Sequence, residues 1–267
     1  MSYRNPVLPF AVAAGLLVGL SVPGEAQIQR MQSADETTVG LELAKPFIGD
    51  SGLSWYTSTL RARLLAPVGE TAALLADWGL SMAGTDFGSD ETLSNPELGI
   101  AFLGDDGESD GYLSVILPIG RELGDDDVSV GVAAVSNFAW LDRFNEDVWS
   151  VNAGYTPETA LGASGASRLN LELVGSVMIP QEGGGDNELF TRYVVGVSQD
   201  TSTLRLRADL EGLMIVSEGD LSLAERTIHQ LVVGADGLEG GPGFFVRIPV
   251  DDDLEQVDAV VGATFIF

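Results

Sequence analysis

Val257-Asp-Ala-Val-Val-Gly-Ala-Thr-Phe-Ile-Phe267 closes the chain. Its side chains alternate. Val257, Ala259, Val261, Ala263, Phe265 and Phe267 fall on one face; Asp258, Val260, Gly262, Thr264 and Ile266 fall on the other. A period of two marks a strand with two different environments. The alternation runs to the last residue, with no polar tail after it. A closing strand that ends on a ring suits an aromatic seated where lipid meets water.

The start agrees with that setting. Arg4 is the only charge before Glu25, and residues 7–22 are apolar apart from Gly, Pro and Ser. Gly24 and Ala26 then supply the small residues of a cleavage site. The expectation is a signal peptide over 1–26, cleaved after Ala26, and one mature domain over 27–267. A transmembrane helix is the weaker reading, because the run is short for a span and no positive flank follows it. The chain has no Cys, so a lipoprotein anchor and disulfides are excluded.

After residue 26 no long apolar run remains, and helical periodicity is scarce. Clusters of Gly, Ser, Asp and Asn punctuate the chain as in an all-β protein. Alternating segments lie at 37–47, 55–66, 71–84, 97–104, 111–120, 129–140, 148–156, 168–179, 190–199, 203–216, 227–237, 243–250 and 257–267. That is thirteen, whereas single-chain bacterial barrels normally have an even number. Segment 37–47 is taken as the odd one, lying beside the barrel or pairing only partly. A missed fourteenth strand is the other option. The predicted fold is therefore all-β: a single antiparallel transmembrane β-barrel of about twelve strands (12–14). With Phe267 at the periplasmic end, 181–188, 217–226 and 251–253 become outer loops and 199–202 a periplasmic turn. No connection looks long enough to form a plug.

The faces carry the functional signal. In 203–216, Leu204, Leu206, Ala208, Leu210, Gly212 and Met214 oppose Arg205, Arg207, Asp209 and Glu211. In 168–179, Leu169, Leu171, Leu173, Val177 and Ile179 oppose Arg168, Asn170, Glu172 and Ser176. Arg61 and Arg63 oppose Leu60, Ala62 and Leu64, and Arg247 sits between Val246 and Ile248. Lipid outside and a polar interior explain all four, although a soluble sandwich also alternates. Aromatic pairs near strand ends are expected at the interfaces: Trp55 and Tyr56, Phe138 and Trp140, Trp149 and Tyr155, Phe244 and Phe245.

The formal charge is −27, from 13 Lys plus Arg against 40 Asp plus Glu. That balance excludes nucleic acid as a partner. The acids cluster in connections such as Asp105-Asp106, Asp125-Asp-Asp127 and Asp251-Asp-Asp253, without the spacing of a calcium loop; solvated rims are the expectation, and no cofactor or metal is called for. The candidate lumen residues are Arg61, Arg63, Arg168, Glu172, Arg205, Arg207, Asp209, Glu211 and Arg247. Two readings stand. An open arginine-lined lumen would pass small solutes and favour anions. Alternatively, these Arg residues pair with Asp77, Glu172, Asp209 and Glu211 and fill the lumen, leaving a structural or surface-interaction barrel.

His229 is the only His. It shares parity with Leu231 and Val233, near Ser217 and Ser222, so an outer-leaflet lipid-modifying site is a third reading. No hydrolase motif surrounds it, and the expectation is a protein that is not an enzyme.

The C-terminal Phe265 and Phe267 resemble the assembly signal of outer-membrane β-barrels. Ser94-Asn-Pro-Glu-Leu-Gly99 and Arg247-Ile-Pro-Val-Asp-Asp-Asp-Leu254 are similar to segments of poorly characterised outer-membrane barrels grouped with transporters of aromatic-degradation pathways. The resemblance implies an outer-membrane location and passive transport. It also implies outer-membrane lipid, periplasmic chaperones and the barrel-assembly machinery as partners. It carries no substrate residue.

Overall fold

The computed structural model describes residues 37–49, 56–85, 88–104, 109–119, 121–122, 128–140, 142–144, 147–163, 165–181, 186–217, 222–223, 226–237, 242–251, 254 and 256–267. The expected signal peptide and Trp55 lie outside the described residues. The elements are β1 (Thr38–Ile48), β2 (Ser58–Pro67), β3 (Ala72–Thr85), β4 (Gly88–Leu93), β5 (Glu97–Leu103), β6 (Ser109–Ile116), β7 (Arg121–Glu122) and α1 (Val128–Ser136). A 3-10 turn (Phe138–Trp140) follows, then β8 (Val148–Tyr155), β9 (Glu158–Leu161), β10 (Ser167–Pro180) and β11 (Glu188–Asp200). The last are β12 (Leu204–Ile215), β13 (Thr227–Gly237), β14 (Pro242–Pro249) and β15 (Val257–Ile266).

Neighbouring pairs run antiparallel all the way round, and β15 returns to β1. The result is a closed barrel of twelve strands. Three of the twelve are interrupted. β4 and β5 both pair with β3, β7 continues β6 alongside β4, and β8 and β9 both pair with β10. Closure pairs every strand on both sides except the short β7, which pairs with β4, and β9, which pairs with β10. Val39 and Phe267 exchange both backbone hydrogen bonds, at 2.9 and 3.0 Å, so the seam reaches the final residue. Gly162 and Gly165, both at positive φ, turn the chain between β9 and β10 where a Cβ would be strained.

Segment 37–47 is not the odd one out. β1 pairs with β2 over Thr38–Ala44 and with β15 over Gly40–Ile48, and is the strand that shuts the barrel. The segment that is not a strand is 129–140. Its alternating Val128, Val130 and Val132 imitate period two, yet the buried residues are Ser129, Val132, Ala133 and Ser136. That spacing of three, four and seven is a helix face. Three of the four are small, which lets α1 sit close to the wall.

The last strand also departs from simple alternation. Phe47 faces Ala259 while Ile48 faces Val257, so Asp258 is an extra residue in a β-bulge. The bulge reverses parity, and Val257 joins an interior cluster with Ala44, Val232, Phe245 and Val260.

The connections promise no plug, yet within the link from β6 to β8 the described residues 128–140 and 142–144 fold back into the barrel as one. Val135 of α1 packs on the interior cluster of β1, β13, β14 and β15. Phe138 packs with Met178, Phe190 and Leu213 on β10, β11 and β12. Trp140 is buried against Ala133 and Phe144. Phe138, Trp140 and Phe245 are therefore interior rings, not interface rings. Outward aromatics do mark both ends: Phe102, Tyr155, Phe265 and Phe267 towards the termini, Phe47, Tyr56 and Trp149 at the other end.

Candidate functional site

The barrel wall separates two chemistries. Outward side chains such as Leu98, Ile100, Leu173, Val195, Val197, Leu206 and Val233 are exposed. The residues beside them on the same strands, such as Glu97, Arg192, Val194, Arg207 and Val232, are buried. Exposed apolar staves around buried charge suit a lipid solvent and invert what water selects. Among the described residues no helix is long and apolar enough to cross a membrane; the strands do the crossing.

The interior is held by ion pairs from wall to plug. Arg61 of β2 donates to Asp77 of β3 through Nε, at 3.0 and 3.1 Å, and through Nη2, at 2.7 Å. Arg143, carried by the plug, puts Nη1 2.6 Å from Asp77 Oδ1 and donates through Nη2 to Glu97 of β5. Ser114 also donates to Glu97, and Asn152 Nδ2 donates to it at 3.5 Å. Arg63 lies 3.8 Å from Asp77 and 5.7 Å over the Tyr112 ring. Buried charges of this kind persist only when paired and hydrogen-bonded.

α1 carries no acidic residue in its first turn and no basic residue in its last. The wall supplies both. Asp90 of β4 accepts from the Ser129 N–H at 2.7 Å, and Arg247 of β14 donates to the Ser136 carbonyl. A carboxylate at the N-terminus and a guanidinium at the C-terminus each oppose the local helix charge. Ser81 adds a hydrogen bond to the Ser129 carbonyl at 2.5 Å.

The other predicted lumen residues divide between two places. Arg192 pairs with Glu172 at 2.5 Å, Arg207 with Asp209 at 2.6 Å and with Asp236 at 3.5 Å, and Arg247 lies 3.5 Å from Glu42. Glu211 accepts from Gln230 Nε2 at 2.6 Å. All these side chains are buried. Arg168 and Arg205 are less buried and sit at the end nearest the termini, sharing Glu158 and Asp200. They are not part of the network that grips the plug. A cavity of about 30 Å³ remains beside Arg63, Tyr112, Asp142, Asn152 and Arg192, room for about two waters. Burial pushes the Asp142 carboxyl up to about 6, with Arg143 beside it pulling the other way.

Sequence reading missed Glu97, Asp90, Asp142 and Arg143. Only Arg143 left a trace, as an isolated base in an acidic connection.

His229 faces outward near the rim farthest from the termini. Its Nδ1 lies 2.8 Å from Asp251 Oδ2, which also accepts the His229 backbone N–H. Its Nε2 lies 2.6 Å from the Tyr193 hydroxyl. Ser217, one of the two Ser considered for this site, accepts from the Leu189 N–H at 3.3 Å; the hydroxyl at the imidazole is that of Tyr193.

The fold is that of an outer-membrane β-barrel. No family model matches the sequence, and no curated protein is significantly similar to it. Solved structures similar to the chain include an outer membrane channel from Pseudomonas putida F1, at 12% identity over 87% of this chain and 96% of that one, TM-score 0.49. LpxR from Salmonella typhimurium follows at 10% identity over 86% and 99%, TM-score 0.48. The outer membrane protein OmpT of Vibrio cholerae stands at 10% identity over 87% and 98%, TM-score 0.34. At these identities no activity passes to this chain.

Proposed function

We propose that this protein is an outer-membrane barrel closed at rest: a structural or surface-interaction barrel whose lumen is filled by residues 128–140 and 142–144 of its own β6–β8 connection. The observation that carries this reading is Arg143, which reaches from the plug to Asp77 and Glu97 on the wall. A passive arginine-lined channel needs these guanidinium groups to face water, and here the carboxylates hold them. Passage of a small solute therefore requires the plug to leave its seat. Residues 1–26 are proposed to export the chain, and Phe265 and Phe267 to present it to the periplasmic chaperones and the assembly machinery.

The test is conductance of the refolded protein in a planar bilayer, after heat-modifiable gel mobility has shown a folded barrel. The wild type is expected to be silent. Replacing 123–144 by a short Gly/Ser linker is expected to open a steady current. Steady anion-selective current from the wild type overturns the closed reading and restores the channel.

A further inference from the structure

Four aligned outward residues, Val195, Leu210, Leu231 and Ile248, form one row across β11 to β14. All four are apolar and exposed. Two residues nearer the rim, the next outward row reads Tyr193, Gly212 and His229. Val250 continues it, its backbone N–H bonded to the His229 carbonyl at 3.1 Å. The wall thus changes from hydrocarbon-like to hydrogen-bonding within about 7 Å, two residues of strand rise. That is the step a membrane lipid makes from acyl chain to ester.

Gly212 creates the site. A Cβ there would lie 2.2 Å from the Tyr193 ring and 2.5 Å from its hydroxyl. The bare position lets Tyr193 lie across β12 and reach His229 on the far strand. Asp251 then fixes the imidazole. A carboxylate only accepts, so Nδ1 carries the proton given to Asp251. With Nδ1 as the donor, Nε2 is the position left to accept from the Tyr193 hydroxyl. An oxygen nucleophile, an imidazole and an orienting carboxylate stand in hydrogen-bonded order, partly exposed, on the face that meets lipid.

We propose that Tyr193, His229 and Asp251 form an acyl-ester-cleaving site for membrane lipids. The Tyr193 oxygen attacks the ester carbonyl carbon, and its proton passes to His229 Nε2. The tetrahedral adduct collapses, the acyl–oxygen bond of the lipid breaks, and the departing alcohol takes the proton from Nε2. Water then attacks the acyl-tyrosine, gives a proton to Nε2 and releases a fatty acid, and the phenol recovers that proton. Ester plus water becomes acid plus alcohol. Asp251 is a positioning residue throughout. The site is independent of the lumen, so its failure leaves the closed-barrel reading untouched.

The experiment uses the full barrel refolded in vesicles. One set carries a fluorogenic diacyl glycerophospholipid, and a second carries lipopolysaccharide assayed for released fatty acid. Cleavage in one set alone names the lipid source. Wild type is expected to cleave. Tyr193→Phe and His229→Gln are expected to fall by about 10²- to 10⁴-fold with unchanged heat-modifiable mobility. An aryl sulfonyl fluoride should label Tyr193 in the wild type and much less in His229→Gln, a difference that a merely structural hydrogen bond would not produce. Absence of both cleavage and labelling in a folded wild type overturns the proposal. So does cleavage that survives Tyr193→Phe.

Discussion

Asp90 and Arg247 hold opposite ends of one helix from wall positions five strands apart, counted β14, β15, β1, β2, β3, β4. Val128–Ser136 has no acid in its first turn and no base in its last, and the barrel supplies a charge at each end. Its stability therefore belongs to the assembled barrel, not to the segment.

Arg247→Met should weaken the plug. It removes the donor to the Ser136 carbonyl, the neighbour of Glu42 and the guanidinium stacked 4.6 Å from the Phe245 ring. Loss of one partner from a buried pair costs on the order of 3 kcal/mol. Urea unfolding of the refolded barrel measures the loss, and hydrogen exchange should localise it to 128–140. An unchanged midpoint would contradict the capping role.

Arg143→Ala should act at the other anchor. Asp77 keeps Arg61, but Glu97 loses the guanidinium that pairs with it and stays buried. The expected outcome is intermittent current in the planar bilayer, against a wild type expected to be silent. Arg143→Lys should rescue only partly, since one ammonium cannot match the fork that reaches two carboxylates.

The seat of the plug should tighten as pH falls. Asp142 is buried beside Arg143, with Glu97 and Arg192 in range, and its carboxyl is pushed up to about 6. A folded-state pKa above the ordinary 3.8 means that the folded form binds the proton more tightly. Its stabilising contribution is complete below the ordinary value and is lost as pH rises through about 6. Exchange protection of 128–144 should therefore decline between about pH 4 and 7, and Asp142→Asn should flatten that part of the profile.

Gly262→Ala should strain the interior. A Cβ there would meet the Phe245 ring at 2.0 Å and the Leu43 carbonyl at 2.8 Å. Overpacking of this kind costs about 1–3 kcal/mol. Phe245→Leu alone also destabilises, and the double variant should lose less than the sum, because the two residues share one space.

Leu173→Arg tests the outer solvent. Leu173 lies mid-strand on β10 and is 54% exposed. In water the change would be nearly neutral. At a lipid midplane it should cost about 2–4 kcal/mol, seen as reduced stability in vesicles. A neutral result would remove the membrane reading.

The sequence by itself determined the wall. Alternation in segments such as 203–216 and 168–179 depends only on each strand's own side chains, so Arg207, Asp209 and Glu172 could be assigned to one face and Leu206 and Leu173 to the other. Tertiary structure decided what fills the barrel. The 129–140 segment alternates locally, but it is helical because the barrel offers Asp90, Arg247 and a surface that admits Ser129, Ala133 and Ser136. Parity at Val257 turns on a bulge set by its partner strand. Tyr193, His229 and Asp251 stand far apart in sequence and meet only because register aligns them across Gly212. Periodicity is a local property of the chain. Register, closure and the fate of a connection depend on contacts between distant segments, which no single stretch encodes.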